Sequence, residues 1–552
     1  MQNNKNPEPV AVIDPMQNKN YVFKFLSYFF DKKSRTATFV YQGIDNTIFT
    51  EKITFAEHPE AEAGKHFNAL DDPNLDKMLD NAMFLTFILI GSSYYKAHPT
   101  PNVQVSKPID EFQAKFFSKV FQEGLSQYAF ENGLTRDNLA HFSTTSQNKP
   151  EPYNQYRGKG ILSLQSGGKD SLLVAELMRE VNINFTPWYV ASNKQGIHPA
   201  VIDEIYPFFT THRRPSIAIR EIDHAHLKET GGLNGHVPVT YINLALAVVQ
   251  AILNNQNIVA ASIGDEGNEP HAMIGDLPVN HQWSKTWEAE QLFADYVKRY
   301  ISENIEVGSP IRKYSELRIA ELFVNKCWQK YGHNFSSCNV ANYKQNGNNT
   351  RLSWCGKCAK CANSYLLFCP FLPPQELQSL FCDNDLFKDP ELFDTFKGLL
   401  GVENTMKPFE CIGSISELRF AYHHRMKVDP IMVSEKNLSS ENNQMEELSA
   451  SIAQATKRLK LDRFLKFKNL IKSTPAQTTN YITADKNPTP VYEQKYDKNG
   501  NPLPLQLAEG WWQPLYADLP FIVPASNFDY ASERNSQDFF RNFFEEQKNN
   551  EN

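Results

Sequence analysis

The chain reads as an α/β protein: a doubly wound parallel sheet, an N-terminal α+β region before it and a cysteine-rich metal knuckle after it. Two observations predict the sheet. From 160 to about 265, short apolar runs alternate with longer helical patterns, the order in which crossover helices link parallel strands. Within that stretch Ser166-Gly167-Gly168-Lys169-Asp170-Ser171 directly follows Ile161-Leu162-Ser163-Leu164 and directly precedes Leu172-Leu173-Val174-Ala175, which is strand, loop and helix in succession. The knuckle is predicted by Cys355-Gly356-Lys357-Cys358-Ala359-Lys360-Cys361.

Residues 21–56 alternate in β-rich runs, Tyr21-Val22-Phe23-Lys24-Phe25 and Thr36-Ala37-Thr38-Phe39-Val40-Tyr41, split by the turn-like Asp31-Lys32-Lys33-Ser34. An antiparallel hairpin or meander is expected. Helical patterns follow around 73–98 and 107–131, and the polar stretch 144–150 closes an N-terminal α+β domain at 1–155. In the next domain, 156–330, strands are expected at 160–165, 185–190, 216–222 and 258–263, with helices at 171–180, 199–209 and 240–254. Residues 283–335 read as helical, with Leu317, Ile319, Ala320, Leu322 and Phe323 on an apolar face. A cysteine-rich and helical segment, 331–430, is expected to complete the site. Residues 431–505 read as a polar linker or insertion around one amphipathic patch at 452–471, and 506–552 as a C-terminal segment.

Length sets a prior of about three to four domains. The 41% hydrophobic and 22% charged content is that of a globular chain, which excludes a fibre or wholesale disorder. A formal charge of −7 argues against nucleic acid as the main ligand, because phosphate backbones select a basic face. The first residues, Met1-Gln2-Asn3-Asn4-Lys5-Asn6-Pro7, lack an apolar signal core, and the longest apolar run, 83–90, is too short to span a bilayer. A cytoplasmic protein with no membrane insertion is expected. Of eight cysteines, seven lie between Cys327 and Cys382, which suits a local site better than a disulfide framework.

Ser166 to Ser171 has the chemistry of an anion cradle. Adjacent glycines let backbone N–H groups close round a phosphate, the following helix turns its positive end toward it, and Ser166, Lys169 and Ser171 add donors. Asp170 in the loop suggests magnesium. The loop is not a Walker loop, because Asp170 follows Lys169 where Ser or Thr would stand. It resembles the SGGxDS loop of the ATP pyrophosphatases, the PP-loop proteins of adenine nucleotide alpha hydrolase-like fold. That resemblance implies ATP bound at Ser166, Gly167, Gly168, Lys169, Asp170 and Ser171, with pyrophosphate leaving as a substrate oxygen attacks the α-phosphate. Because ligands of doubly wound sheets bind beyond the carboxyl ends of the strands, the glycine loop and the loop Gly264-Asp265-Glu266-Gly267-Asn268-Glu269 are expected to face one crevice.

The thiols of Cys355, Cys358 and Cys361, with Cys338 upstream, can wrap one tetrahedral ion. Zinc suits a closed four-sulfur site, and an iron–sulfur cluster is the other candidate. Cys369 is an alternative fourth ligand, although its apolar neighbours also suit a buried small residue.

A PP-loop followed by this cysteine spacing is similar to cyano-deazaguanine synthase, but the flanking sequence differs. Asn234-Gly235-His236-Val237-Pro238-Val239-Thr240, Val279-Asn280-His281-Gln282-Trp283-Ser284-Lys285 and Lys407-Pro408-Phe409-Glu410-Cys411-Ile412-Gly413, with Trp354-Cys355-Gly356-Lys357-Cys358, instead resemble the UDP-N-acetylmuramoyl-L-alanyl-L-glutamate epimerases over about 160–425. This resemblance implies an ATP-dependent isomerase of peptidoglycan precursor synthesis. It would take a small UDP-muramoyl dipeptide and invert its terminal L-glutamate through an acyl-adenylate. Candidates for proton transfer are His236, Glu266, His281 and Cys411. Asn234, Asn268, His271, Asn280, Lys285 and Arg312 are candidates for substrate contact; Arg318 reads equally as a solvated helix face. Three rival readings are a nucleobase- or tRNA-modifying PP-loop enzyme, an amidotransferase, and a non-catalytic nucleotide-binding scaffold. The chain starts Met1-Gln2 and lacks the N-terminal cysteine nucleophile of an asparagine-synthetase type.

Overall fold

The computed structural model describes residues 21–57, 73–180, 183–192, 194–205, 216–267, 270–312, 314–343, 350–401, 405–415, 417–419 and 421–422, with 492–493 and 506–507. The strands are β1 Phe23–Asp31, β2 Thr36–Gln42, β3 Ile48–Thr54, β4 Val103–Val105, β5 Ile161–Leu164, β6 Thr186–Ala191, β7 Ser216–Glu221, β8 Ile258–Ala260, β9 Ala272–Ile274, β10 Leu277–Val279, β11 Glu306–Gly308, β12 Tyr492–Glu493 and β13 Gln506–Leu507. The helices are α1 Pro73–Tyr95, α2 Glu111–Gln122, α3 Ser126–Glu131, α4 Lys169–Glu180, α5 Val201–Ile205, α6 His224–Glu229, α7 Val239–Leu253, α8 Trp287–Tyr300, α9 Glu316–Lys326, α10 Trp328–Tyr331, α11 Asn339–Tyr343, α12 Ala359–Phe368, α13 Pro374–Leu380 and α14 Phe393–Leu400.

β2 shows why the N-terminal segment forms a sheet. In Thr-Ala-Thr-Phe-Val-Tyr-Gln every second side chain is buried, so Ala37, Phe39 and Tyr41 face the core. Phe39 and Tyr41 stack on Phe87 of α1 with ring centroids 6.2 and 5.2 Å away. β1, β2 and β3 form the expected antiparallel meander. Its edge strand β3 then pairs antiparallel with β7, so the meander continues into the parallel strands.

One nine-stranded sheet results, in the order β11-β8-β5-β6-β7-β3-β2-β1-β4. Five of its eight pairings are parallel: β5–β6, β6–β7, β5–β8, β8–β11 and β1–β4. The fold is thus α/β with a mostly parallel sheet. Two buried clusters line its faces, one containing α1, α2, α7 and α8 side chains, the other α4, α9 and α12 side chains.

β5 is followed on one side by β6 and β7, while the chain returns to place β8 and β11 on its other side. The point where strand order reverses lies between β5 and β8, which is where an open α/β sheet leaves a crevice. Residues 283–335, expected to be helical, are not continuously so, because β11 separates α8 from α9. Of the 431–505 segment, only β12 lies within the described residues, paired antiparallel with β13; the amphipathic patch 452–471 lies outside them. Among the described residues no helix is long and apolar enough to cross a membrane.

Candidate active site

A cleft of about 500 Å³ opens at the strand-order reversal. The glycine loop and the loop after β8 both line it, the first through Ser166 and Gly168–Ser171 and the second through Ala261–Ile263 and Glu266. Gly167 has φ +79°, and a Cβ there would meet Leu352 Cδ1 at 2.6 Å and Val201 Cγ1 at 2.9 Å. Gly168 contrasts with it, since a Cβ there would find no atom nearer than 3.7 Å. The first glycine lets the chain turn against its neighbours and the second leaves room in the cleft. Ser171 Oγ accepts the Ser166 backbone N–H at 3.3 Å and donates to the Gly168 carbonyl at 3.1 Å, tying the loop to the first turn of α4.

Lys169 is buried and donates to Asp170 Oδ1 at 2.7 Å and Glu316 Oε2 at 2.5 Å. Burial alone would lower the pKa of its ammonium, but the Asp170 and Glu316 carboxylates outweigh burial and raise it. The Glu316 carboxyl is itself raised, chiefly by burial and then by the Asp170 and Glu266 carboxylates, against the Lys169 ammonium, which pulls it down. Glu316 Oε1 is buried with no hydrogen-bond partner among the described residues.

The facing wall carries Glu266, Lys285 and Cys411. Lys285 Nζ stands 2.9 Å from Glu266 Oε1 and 3.6 Å from Cys411 Sγ. Burial would lower the Lys285 pKa, yet Cys411 and Glu266 hold it raised. Arg312 fixes this wall: its Nε pairs with Glu290 Oε2 and its Nη1 donates to the carbonyls of Gly264 at 2.8 Å and Lys285 at 2.9 Å. Behind Cys411, His281 Nε2 lies 3.9 Å from the sulfur and His281 Nδ1 lies 2.5 Å from Gln127 Oε1. His236 packs against His281, with ring centroids 4.5 Å apart and planes tilted by 42°. Burial pushes the two imidazoles down to about 3 and about 4 respectively, helped by His281, Lys96 and Lys285 at His236, and by Lys360 and Lys285 at His281.

Next to the cleft, the sulfurs of Cys338, Cys355, Cys358 and Cys361 lie within 4.8 Å of one another. Three of their separations are 3.7, 3.7 and 3.6 Å. A tetrahedral ion with sulfur bonds of about 2.3 Å requires edges of about 3.8 Å, so the four can hold one such ion. Cys369 is elsewhere, its Sγ donating to Leu366 O at 3.2 Å. The cluster adjoins the cleft walls: Cys358 stands at the N-cap position of α12, whose Lys360, Asn363 and Ser364 line the cleft. Asn363 Oδ1 accepts the Gly413 N–H at 3.1 Å, and Ser336 N–H donates to the Gly167 carbonyl at 3.3 Å.

Two family descriptions match the chain, the MurL N-terminal domain over residues 15–309 and the MurL C-terminal domain over 334–456. The chain is 31% identical to the UDP-N-acetyl-alpha-D-muramoyl-L-alanyl-L-glutamate epimerase of Xanthomonas oryzae pv. oryzae, over 72% of this chain and 84% of that protein. It belongs to this epimerase family. Proteins of the same name from Salinispora tropica and a Micromonospora species are also 31% identical, each over 72% of this chain and over 82% and 84% of their own lengths. Epimerases are isomerases, and the chain is an enzyme of that class.

In this member of the epimerase family, the cleft gathers Ser166, Gly168, Lys169, Asp170, Ser171, Glu266, Lys285 and Cys411 from the expected set. His281 stands behind Cys411, and His236 behind His281. Asn280 is engaged within the protein, its Nδ2 donating to Gly267 O and its Oδ1 accepting Gln282 N–H at 2.8 Å. Asn234 is exposed and accepts from Lys96 Nζ at 2.6 Å. His271 Nε2 lies 3.1 Å from Pro408 O, and its ring packs on Phe409. Arg318 pairs with Glu321 on its own helix. Asn268 lies outside the described residues. Glu316, Lys360 and Arg220 also line the cleft, and sequence reasoning did not select them. Lys360 was visible only as a basic spacer between cysteines, and Glu316 only as an acid in the first turn of a helix.

Proposed function

We propose that this enzyme inverts the terminal L-glutamate of UDP-N-acetylmuramoyl-L-alanyl-L-glutamate, converting ATP to AMP and pyrophosphate, in cytoplasmic peptidoglycan precursor synthesis. The names of the relatives supply the substrate. The observation that carries the mechanism is one cleft with a glycine-rich cradle on one wall and a Glu266–Lys285–Cys411 cluster on the other.

A carboxylate beside Cα opposes loss of the α-proton, since a second negative charge would develop next to the first. Joined to AMP, the acyl group is neutral at that position and can take the electron pair as an enolate. A carboxylate oxygen of the substrate attacks the α-phosphorus, the bond to the β-phosphate bridge breaks and pyrophosphate leaves. One group then removes the α-proton, another returns a proton to the opposite face, and water cleaves the mixed anhydride to release AMP. Ser166 to Ser171 would act as a PP-loop, with Lys169 neutralising phosphate charge. Asp170 and Glu316 Oε1, which has no hydrogen-bond partner among the described residues, offer the hard oxygen donors that magnesium takes, and the ion would supply charge neutralisation at the phosphates. Cys338, Cys355, Cys358 and Cys361 would hold a structural zinc ion.

The test mixes the purified protein with ATP, magnesium and the L-Ala-L-Glu muramoyl nucleotide. AMP and D-glutamate in the peptide are expected together, each dependent on the other substrate. Release of ADP, or AMP formation with unchanged glutamate chirality, would overturn the reading.

A further inference from the structure

Which ring nitrogen of His281 carries the proton follows from a chain of donors and acceptors. Gln127 Nε2 donates to Glu131 Oε1 at 2.7 Å, and a carboxylate oxygen accepts. The other end of that amide, Oε1, is therefore the atom 2.5 Å from His281 Nδ1, and it too can only accept. His281 must place its proton on Nδ1, which leaves the lone pair of Nε2 directed at Cys411 Sγ, 3.9 Å away. A thiolate facing a bare nitrogen would be disfavoured, so the His281 contact favours the thiol, against the Lys285 ammonium on the other side, which favours the thiolate.

We infer that Gln127 is a positioning residue: it locks His281 as an acceptor, so that Cys411 rests as an S–H group and serves as the proton donor on its side of the cleft. Lys285, 3.6 Å from the sulfur, is placed to stabilise the thiolate left after donation. The S–H bond breaks, the proton forms a C–H bond at Cα, and the enolate electron pair returns to carbon as the acyl carbonyl reforms. Water restores the thiol after product leaves, as the base on the other face sheds the proton it took. This assignment rests on the epimerase reading for the identity of the carbon. The depressed basicity of His281 agrees with a neutral acceptor. The titratable and charged groups around the pair are Lys285 with Glu266, Lys360 of α12, Glu410 on the segment of Cys411 itself, and Glu131 and the neutral His236 behind the imidazole.

Two measurements on the full-length enzyme test it. Nitrogen-15 spectra of the histidine rings at neutral pH, with His281 assigned by its loss in His281→Phe, should show Nδ1 protonated and Nε2 bare. An Nε2-protonated ring or an imidazolium would overturn the inference. Second, iodoacetamide labelling of Cys411, read on its own peptide across pH 6–10, should shift its midpoint downward in both Gln127→Leu and His281→Phe, because each removes the acceptor that favours the thiol. An unchanged or raised midpoint would show that His281 generates a thiolate or has no role at the sulfur. If the Gln127 variant does not fold, the wild-type spectrum decides. If the substrate reading fails instead, ATP-dependent exchange of the glutamate α-proton will be missing while the tautomer and labelling results stand.

Discussion

Two imidazoles held neutral in the fold make the enzyme sensitive to mild acid. Unfolded histidine takes up a proton near its ordinary value of about 6.5, whereas His281 and His236 resist it until about 4 and about 3. The unfolded chain therefore binds more protons in this window, so stability is complete above about 6.5, falls as pH drops toward about 3, and levels off below. Thermal midpoints measured from pH 7.5 to 4 should show this fall, with a shallower slope in His236→Asn; equal slopes would remove the imidazoles as its cause. Glu316 is the residue whose importance rests entirely on three-dimensional placement. It meets Lys169 across 147 positions, and at the start of α9, after the Ser315 cap, it looks like any acid favoured by a helix dipole. Glu316→Gln keeps the shape and should cut AMP formation by about 10²–10³-fold, the range for losing one preorganised electrostatic group, with little change in thermal midpoint. Near-normal turnover would show that Asp170 and Lys169 suffice.

Elements with a full period of side chains were readable, and those too short to show one were not. β5, α4, β6, β7 and α7 fall within a residue or two of expectation because each carries enough apolar residues to declare its repeat. β4 and β11 have three residues each, and β11 hides between two helices in a segment that reads as helical throughout. The glycine loop was legible by chemistry, and its two glycines should part company on mutation. Gly167→Ala forces a side chain into the left-handed region and against Leu352 and Val201, at a cost of about 1–3 kcal/mol. Gly168→Ala should leave the thermal midpoint within about a degree while weakening ATP binding, because its methyl group enters only the cleft. The cysteine spacing was legible too, but not that Cys358 stands at the N-cap position of α12, whose Lys360, Asn363 and Ser364 line the cleft. Stripping metal with a strong chelator, or Cys358→Ser, should lower the thermal midpoint and ATP turnover in parallel. A stripped protein with both unchanged would show the cluster to be metal-free.

At the scale of the whole molecule, the meander was expected from sequence but its junction with the parallel strands was not, since strand pairing across such a separation leaves no local mark. The junction is sealed by a buried ion pair: Arg220 Nε of β7 donates to Glu51 Oε1 of β3 at 2.6 Å, while Tyr94 OH donates to Glu51 Oε2 at 2.7 Å. Removing one partner strands a buried charge, so Glu51→Leu should cost about 3–5 kcal/mol by chemical denaturation. It should also disturb the cleft, which Arg220 lines. The same junction has a consequence in time. Glu51 and Arg220 are 169 positions apart, so on a ribosome adding about 5–20 residues per second β3 waits on the order of ten to thirty seconds for its neighbour. Throughout that wait the nascent meander presents an open hydrogen-bonding edge, the template on which other nascent chains can add. Birth of this enzyme is therefore its most aggregation-prone moment, and a chain stopped just short of Ser216 should pellet where the complete one does not.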